Sequence, residues 1–144
     1  VPGLPIPFDY SRNNLIYAPK FSGSLGAEYT VPTSFGKVVS NVGLRHISPY
    51  DQQISLGAVS GNLTTGPVIV NGNDPRVRVK TQDLLDAAIT ANFSLAGKDA
   101  YLTIFGRNIL DQKRTNAAFT VAGLFSFASA IEPANYGATL GVKF

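Results

Sequence analysis

Cysteine is absent from the 144 residues, which excludes both a disulfide framework and a thiolate metal site. The absence says little about redox compartment, beyond not requiring an oxidising one. Charge is also sparse, at 15% of residues, and the formal net charge of +3 is mild. The only tight basic cluster is Arg76, Arg78 and Lys80, so no phosphate-tracking stripe runs along the chain and nucleic acid is not an expected partner. Histidine occurs once, at His46, leaving a His-rich metal site or a Ser-His-Asp triad with one possible base and no marked partner for it. Asp83 and Asp86, three apart on a strand, point to opposite faces and do not converge as an acid/base pair. No phosphate-binding glycine loop is present. The residues therefore predict no catalytic group, no metal and no cofactor, and a protein that is not an enzyme.

Helix formers are scarce, and so are long apolar runs. Thr115 to Ile131, TNAAFTVAGLFSFASAI, is uncharged, but Gly123 and its polar residues dilute it. It falls short of the roughly 20 mostly apolar residues that a spanning helix needs. The chain opens Val1-Pro2-Gly3-Leu4-Pro5, with no initiator Met, basic n-region or apolar h-region. As given it carries no secretory signal, and it is expected to be processed, cut or truncated. What is plentiful is hydrophobic residues (44%), Gly (14) and Pro (9), a mixture that suits many short strands joined by turns.

The informative signal has period two, in segments of about ten residues. Phe21, Gly23, Leu25, Ala27, Tyr29 and Val31 alternate with Ser22, Ser24, Gly26, Glu28 and Thr30. Leu85, Ala87, Ile89, Ala91, Phe93 and Leu95 alternate with Asp86, Ala88, Thr90, Asn92 and Ser94, and Tyr136, Ala138, Leu140, Val142 and Phe144 with Gly137, Thr139, Gly141 and Lys143. A noisier case, 37–47, sets Val38, Val42 and Leu44 against Asn41, Gly43 and Arg45. A fifth segment, 100–108, has apolar residues on both faces; Thr103 and Arg107 favour placing their parity, with Tyr101 and Phe105, inward, and Leu102 and Ile104 outward. No proline falls inside these segments, as a hydrogen-bonded ladder requires.

Connections alternate in length. Pro32 to Gly36 and Ala96 to Asp99 are tight turns, whereas 48–83 and 109–135 are long. Transmembrane barrels have short periplasmic turns and long extracellular loops, with strands of about 9–11 residues. The pattern therefore predicts an all-β, antiparallel segment of a transmembrane β-barrel, with strands near 21–31, 37–47, 85–95, 100–108 and 136–144. Its outward parity meets acyl chains, with Phe21, Tyr29, Phe93, Tyr136 and Phe144 near strand ends as interfacial aromatics. Five strands cannot close a barrel, since about eight is the bacterial minimum, and the bilayer does not tolerate two free edges. The rest of the barrel is expected elsewhere.

Several stretches carry a family resemblance. Asn14-Leu15-Ile16-Tyr17-Ala18-Pro19-Lys20-Phe21-Ser22-Gly23-Ser24-Leu25, Leu84-Leu85-Asp86-Ala87, Phe105-Gly106-Arg107-Asn108-Ile109-Leu110-Asp111 and Glu132-Pro133-Ala134 through Phe144 stand in an order that resembles the C-terminal barrel of TonB-dependent outer-membrane receptors. The resemblance covers nearly the whole chain. It implies a barrel of about 22 strands around a plug, of which this chain is the last five. It also implies residence in the outer membrane of a Gram-negative bacterium and uptake of a scarce nutrient, such as a siderophore or carbohydrate. The implied partners are outer-membrane lipid, the N-terminal remainder of the barrel with its plug, TonB acting through that plug, and the barrel-assembly machinery. Tyr136, Leu140, Val142 and Phe144 are similar to the terminal signal that this machinery reads, though a lipid-facing last strand would alternate in the same way. The family's Glu-Pro-Arg motif stands here as Glu132-Pro133-Ala134, and nothing in the chain matches a TonB box or plug.

Ligand capture falls to the loops. Arg76 and Arg78, at the basic end of 48–83, are candidates for an anionic ligand, and Phe125 and Phe127 for an apolar one; solvated loop and loop packing compete with these readings. Glu28, Arg45 and Arg107 face the lumen, where they contact a plug or pair with one another. Two further readings stay open: a separate chain completing a split barrel, and a soluble β-sandwich binding module.

Overall fold

The computed structural model describes residues 13–54, 59–60, 68–69, 75–121 and 124–143. The described structure is all-β, with antiparallel sheets and no α-helix. The chain divides into two compact units, 21–48 with 81–114 and 131–144, and 1–20 with 49–80 and 115–130.

In chain order the strands are β1 (Ser22–Thr33), β2 (Gly36–Ile47), β3 (Tyr50–Asp51), β4 (Val59–Ser60), β5 (Val68–Ile69), β6 (Arg78–Val79), β7 (Gln82–Leu95), β8 (Lys98–Arg107), β9 (Thr115–Val121), β10 (Phe125–Ala130) and β11 (Asn135–Val142). The first unit is one five-stranded sheet in the order β1-β2-β7-β8-β11, each neighbour antiparallel. Its long strands fall on the segments that alternate in the sequence. Two tight turns close the hairpins at one end. Ser34-Phe35 joins β1 to β2, and Ala96-Gly97 joins β7 to β8 with φ of 53° and 77°. Two positive φ values match the twist of a two-residue hairpin loop, and Gly97 adopts its value without a Cβ penalty.

Pro32 lies inside β1, paired with Lys37, although the sequence pattern keeps every proline outside the strands. β1 is an edge of the sheet, where a missing N–H costs no ladder bond if it faces outward. Tyr29 sits four residues inside the end of β1 at Thr33, not near a strand end as expected. β7 starts at Gln82, earlier than its alternation, because Gln82 and Asp83 extend the register with Ile47 and His46.

The register sorts side chains cleanly between two faces. One carries cross-strand rows such as Ala27, Val42, Ala87, Gly106 and Tyr136; Tyr29, Ser40, Ile89, Ile104 and Ala138; and Val31, Val38, Ala91, Leu102 and Leu140. The other carries Thr30, Val39, Thr90, Thr103 and Thr139, with Glu28, Asn41, Asn92 and Tyr101. Leu102 and Ile104 therefore share the apolar face, and Tyr101, Phe105 and Arg107 the polar one. Gly141 and Gly137 stand opposite Tyr101 and Phe105 on that polar face, where the aromatic rings fill the space a side chain would take; a Cβ on Gly137 would lie 2.6 Å from the Phe105 ring. Such aromatic cover compensates for glycines in an edge strand.

The second unit is built from the connections expected as long loops. They contain strands of their own: β3 pairs with β6, β4 with β5, and β9 with β10 in a hairpin. Thr115 to Ile131 thus contributes a hairpin, not a helix. Among the described residues of this unit, the buried apolar side chains are Val77, Val79 and Ala118. Gln52 and Gln53 act as surrogate strand partners for β9. The Gln52 amide donates to Asn116 O (2.6 Å) and accepts from Ala118 N (2.5 Å), and the Gln53 amide makes the same pair of bonds with Thr120 O and N, both at 2.9 Å. The free edge of β9 is thereby satisfied, as buried backbone groups must be.

Candidate functional site

No core packs behind the apolar face of the five-stranded sheet among the described residues. Among the described residues of this unit, Ala100 is the one buried hydrophobic side chain, whereas Leu25 (74%), Ile104 (61%), Tyr136 (66%) and Leu140 (64%) are largely exposed. An amphipathic sheet normally buries its apolar face against a second layer, and a contiguous bare face of this kind marks an interaction surface.

Charge on that face is confined to its ends. From Leu85 to Phe93 on β7, and in the rows paired with those residues, every side chain is uncharged. His46 and Asp83 pair across β2 and β7 one row beyond Leu85, and Lys98 stands opposite Leu95 at the turn end. His46 Nδ1 lies 2.6 Å from Asp83 Oδ1, with the Phe21 ring 5.7 Å from the imidazole. The histidine thus has the partner that spacing in the sequence does not reveal. The imidazole and the carboxylate, 37% and 44% exposed, form a hydrogen-bonded pair that links β2 to β7.

The polar face carries Glu28, Arg45 and Arg107, which do not pair with one another. Arg107 instead places its guanidinium 5.5 Å from the centre of the Phe105 ring. Thr90 and Thr103 share a hydroxyl hydrogen bond of 2.9 Å on the same face. A concavity of about 930 Å³ lies at the turn end of this unit and is lined by residues such as Lys37, Asn92, Asp99, Tyr101 and Lys143. No metal-ligand cluster occurs among the described residues.

Three of the sequence stretches that suggested a family meet at the opposite end of the sheet, around Asn108. Its backbone N–H donates to Asp86 Oδ1 (2.8 Å), and Ile109 N–H donates to Leu85 O (2.8 Å). The buried Asn108 side chain donates to Gln112 O (3.1 Å) and Glu132 O (2.9 Å) and accepts from Gln112 N (3.0 Å). Asp111 accepts from Ala134 N at 3.3 Å. Asn108 and Asp111 both have φ of 47°, a conformation that Asn and Asp tolerate better than other side chains. Nothing in the sequence singles out Asn108; its only signal there is its place in the Arg107-Asn108-Ile109-Leu110-Asp111 run.

No protein-family model, curated protein or solved structure matches this chain. The grounds for a functional reading are therefore its own residues.

The loop candidates separate in the second unit. Arg78 binds the buried Asp51 carboxylate at 3.0 and 3.3 Å, with Asn14 donating to the same carboxylate at 2.9 Å. Arg76 reaches Ser126 Oγ at 3.3 Å. Phe125 and Phe127 are exposed and alternate with Ser126, so they occupy the other face of β10 from the serine that Arg76 contacts. On β11, Tyr136 and Leu140 are exposed on the apolar face with Val142 in the same parity, while Phe144 lies outside the described residues.

Proposed function

We propose that this chain is the C-terminal part of the transmembrane β-barrel of a TonB-dependent outer-membrane receptor, taking up a scarce nutrient such as a siderophore or carbohydrate and catalysing no chemical step. The observation that carries the membrane reading is the apolar sheet face, charge-free between His46 with Asp83 at one end and Lys98 at the other. Leu85 to Phe93 on β7 spans nine residues. At about 3.3 Å per residue and a tilt near 40°, that band rises roughly 23 Å, close to the apolar height of an outer-membrane barrel.

Two further features support it. Both tight turns lie at one end of the sheet, and Ile47, Gln82, Arg107 and Asn135, the strand ends that lead into the longer connections, at the other. The edges β1 and β11 each lack a neighbour among the described residues, which is what a segment of a larger barrel requires. The polar face with Glu28, Arg45 and Arg107 would line the lumen beside a plug. The receptor assignment adds to this the resemblance of the four motif stretches, and through it the lipid, plug, TonB and assembly-machinery partners.

The free edges equally suit a separate chain that completes a split barrel. Denaturing electrophoresis of the source material separates these: one long polypeptide supports the receptor, and a stable species of this mass supports the split chain. Flotation of the full chain with phospholipid vesicles, resistant to alkaline carbonate, is expected for both; recovery as a soluble monomer without detergent would favour a β-sandwich instead.

A further inference from the structure

In the second unit, β9 forms one wall of a groove of about 430 Å³ whose other walls are Ile16, Tyr17 and Ile54. Phe119 and Phe127, paired across β9 and β10, supply the rings on the hairpin side. The amides of Gln52 and Gln53 also line it, each already making two hydrogen bonds to the β9 backbone.

Among the described residues no charged side chain lines this groove, so a charged ligand would lose hydration there without compensation. The volume lies in the range of small-molecule sites, and an apolar cavity of about 150 Å³ takes a single benzene ring. Tyr17 holds its ring at the groove from a backbone φ of 53°, fixed by its N–H donating to Asp51 O at 2.8 Å. A bulky aromatic residue in that region is strained, and strain of this kind collects at ligand clamps.

We infer that this groove binds an uncharged aromatic ligand of one or two rings, held against Tyr17, Phe119 and Phe127. Aromatic pairs favour offset or edge-to-face contact, and Tyr17 and Phe119 already make tilted ring contacts of 6.2 and 6.4 Å with Tyr50 and Phe125. The inference goes beyond the membrane reading and stands without it, since it concerns a different unit of the chain.

The test is titration of the full chain in detergent with 5-fluoroindole, followed by fluorine NMR, with 4-fluorobenzoate as the charged comparison. Saturable binding of the indole and none of the benzoate is expected. Tyr17→Gly keeps the positive φ while removing the ring, and Phe119→Ala removes the facing one; each is expected to weaken binding at least about tenfold. Leu124→Ser, at an exposed turn position outside the groove, leaves affinity unchanged. Circular dichroism of each variant is expected to show retained strand content. Binding that does not saturate, or that both ring deletions leave intact, overturns the proposal. So does self-association of the wild-type chain that Phe119→Ala abolishes while indole fails to compete, because the groove would then serve a second copy.

Discussion

His46 on β2 and Asp83 on β7 face each other across the sheet with 2.6 Å between Nδ1 and Oδ1, one row beyond the last apolar row. The pair caps an uncharged face at the point where the hairpins give way to the long connections. Because both groups are partly exposed, solvent screens their attraction, and such pairs contribute about 1 kcal/mol or less. Asp83→Asn is therefore expected to lower stability by no more than that amount, read as the urea midpoint of the full chain in detergent.

Asn108 combines a left-handed backbone with three side-chain hydrogen bonds in a buried position. Asn108→Ala loses the bonds, strands the Gln112 and Glu132 carbonyls and places a less suitable residue at φ 47°. The expected cost is about 2–4 kcal/mol. Asn108→Gly relieves the backbone but not the bonds, and is expected to fall between the alanine variant and the native chain in the same unfolding measurement.

Gly137 leaves room for the ring of Phe105 across the β8–β11 pair. A Cβ there would sit 2.6 Å from the ring, so Gly137→Ala forces Phe105 to move and is expected to cost about 1–3 kcal/mol. In the double variant with Phe105→Ala the clash is gone. A double-mutant cycle should then show a coupling of the same order, and additive effects would contradict the packing.

Adjacent positions on β7 report the two faces separately. Ile89 lies on the apolar face and Thr90 on the polar one. In lipid, Ile89→Lys is expected to destabilise by about 2–4 kcal/mol, the cost of a cation at mid-bilayer on an outward strand position, whereas Thr90→Lys costs much less. Folding yield and denaturant midpoint in vesicles measure both.

Alternation is legible in the sequence because the pleat imposes it on every residue of a strand that has two different environments. Leu25, Ile89 and Leu140 mark one face by their spacing alone, and Leu102 and Ile104 join it through the register that pairs them with Ala91, Ile89, Leu140 and Ala138. What the sequence hides are interactions set by pairing between distant segments. The partner of Gln52 is Asn116, 64 residues away, and that of His46 is Asp83, 37 away; neither spacing has a periodic signature. The small strands β3, β6, β9 and β10 are hidden for the same reason: each is short and is stabilised by a partner, not by its own pattern. The loop candidates come from two segments of sequence and do not form one site, since Arg78 is committed to Asp51 and Phe125 and Phe127 lie on the face of β10 away from Ser126.

In the proposed barrel, one face of the sheet meets acyl chains and the other does not. The chain has no tryptophan, so single probes at neighbouring positions of β11 test it directly: Leu140→Trp on the apolar face and Thr139→Trp on the polar face, opposite Thr103. In vesicles of lipids brominated on their acyl chains, strong quenching of the probe at 140 and little at 139 is expected, with aqueous acrylamide giving the reverse order. Equal quenching of both by the lipid, or quenching of both by acrylamide alone, would contradict it.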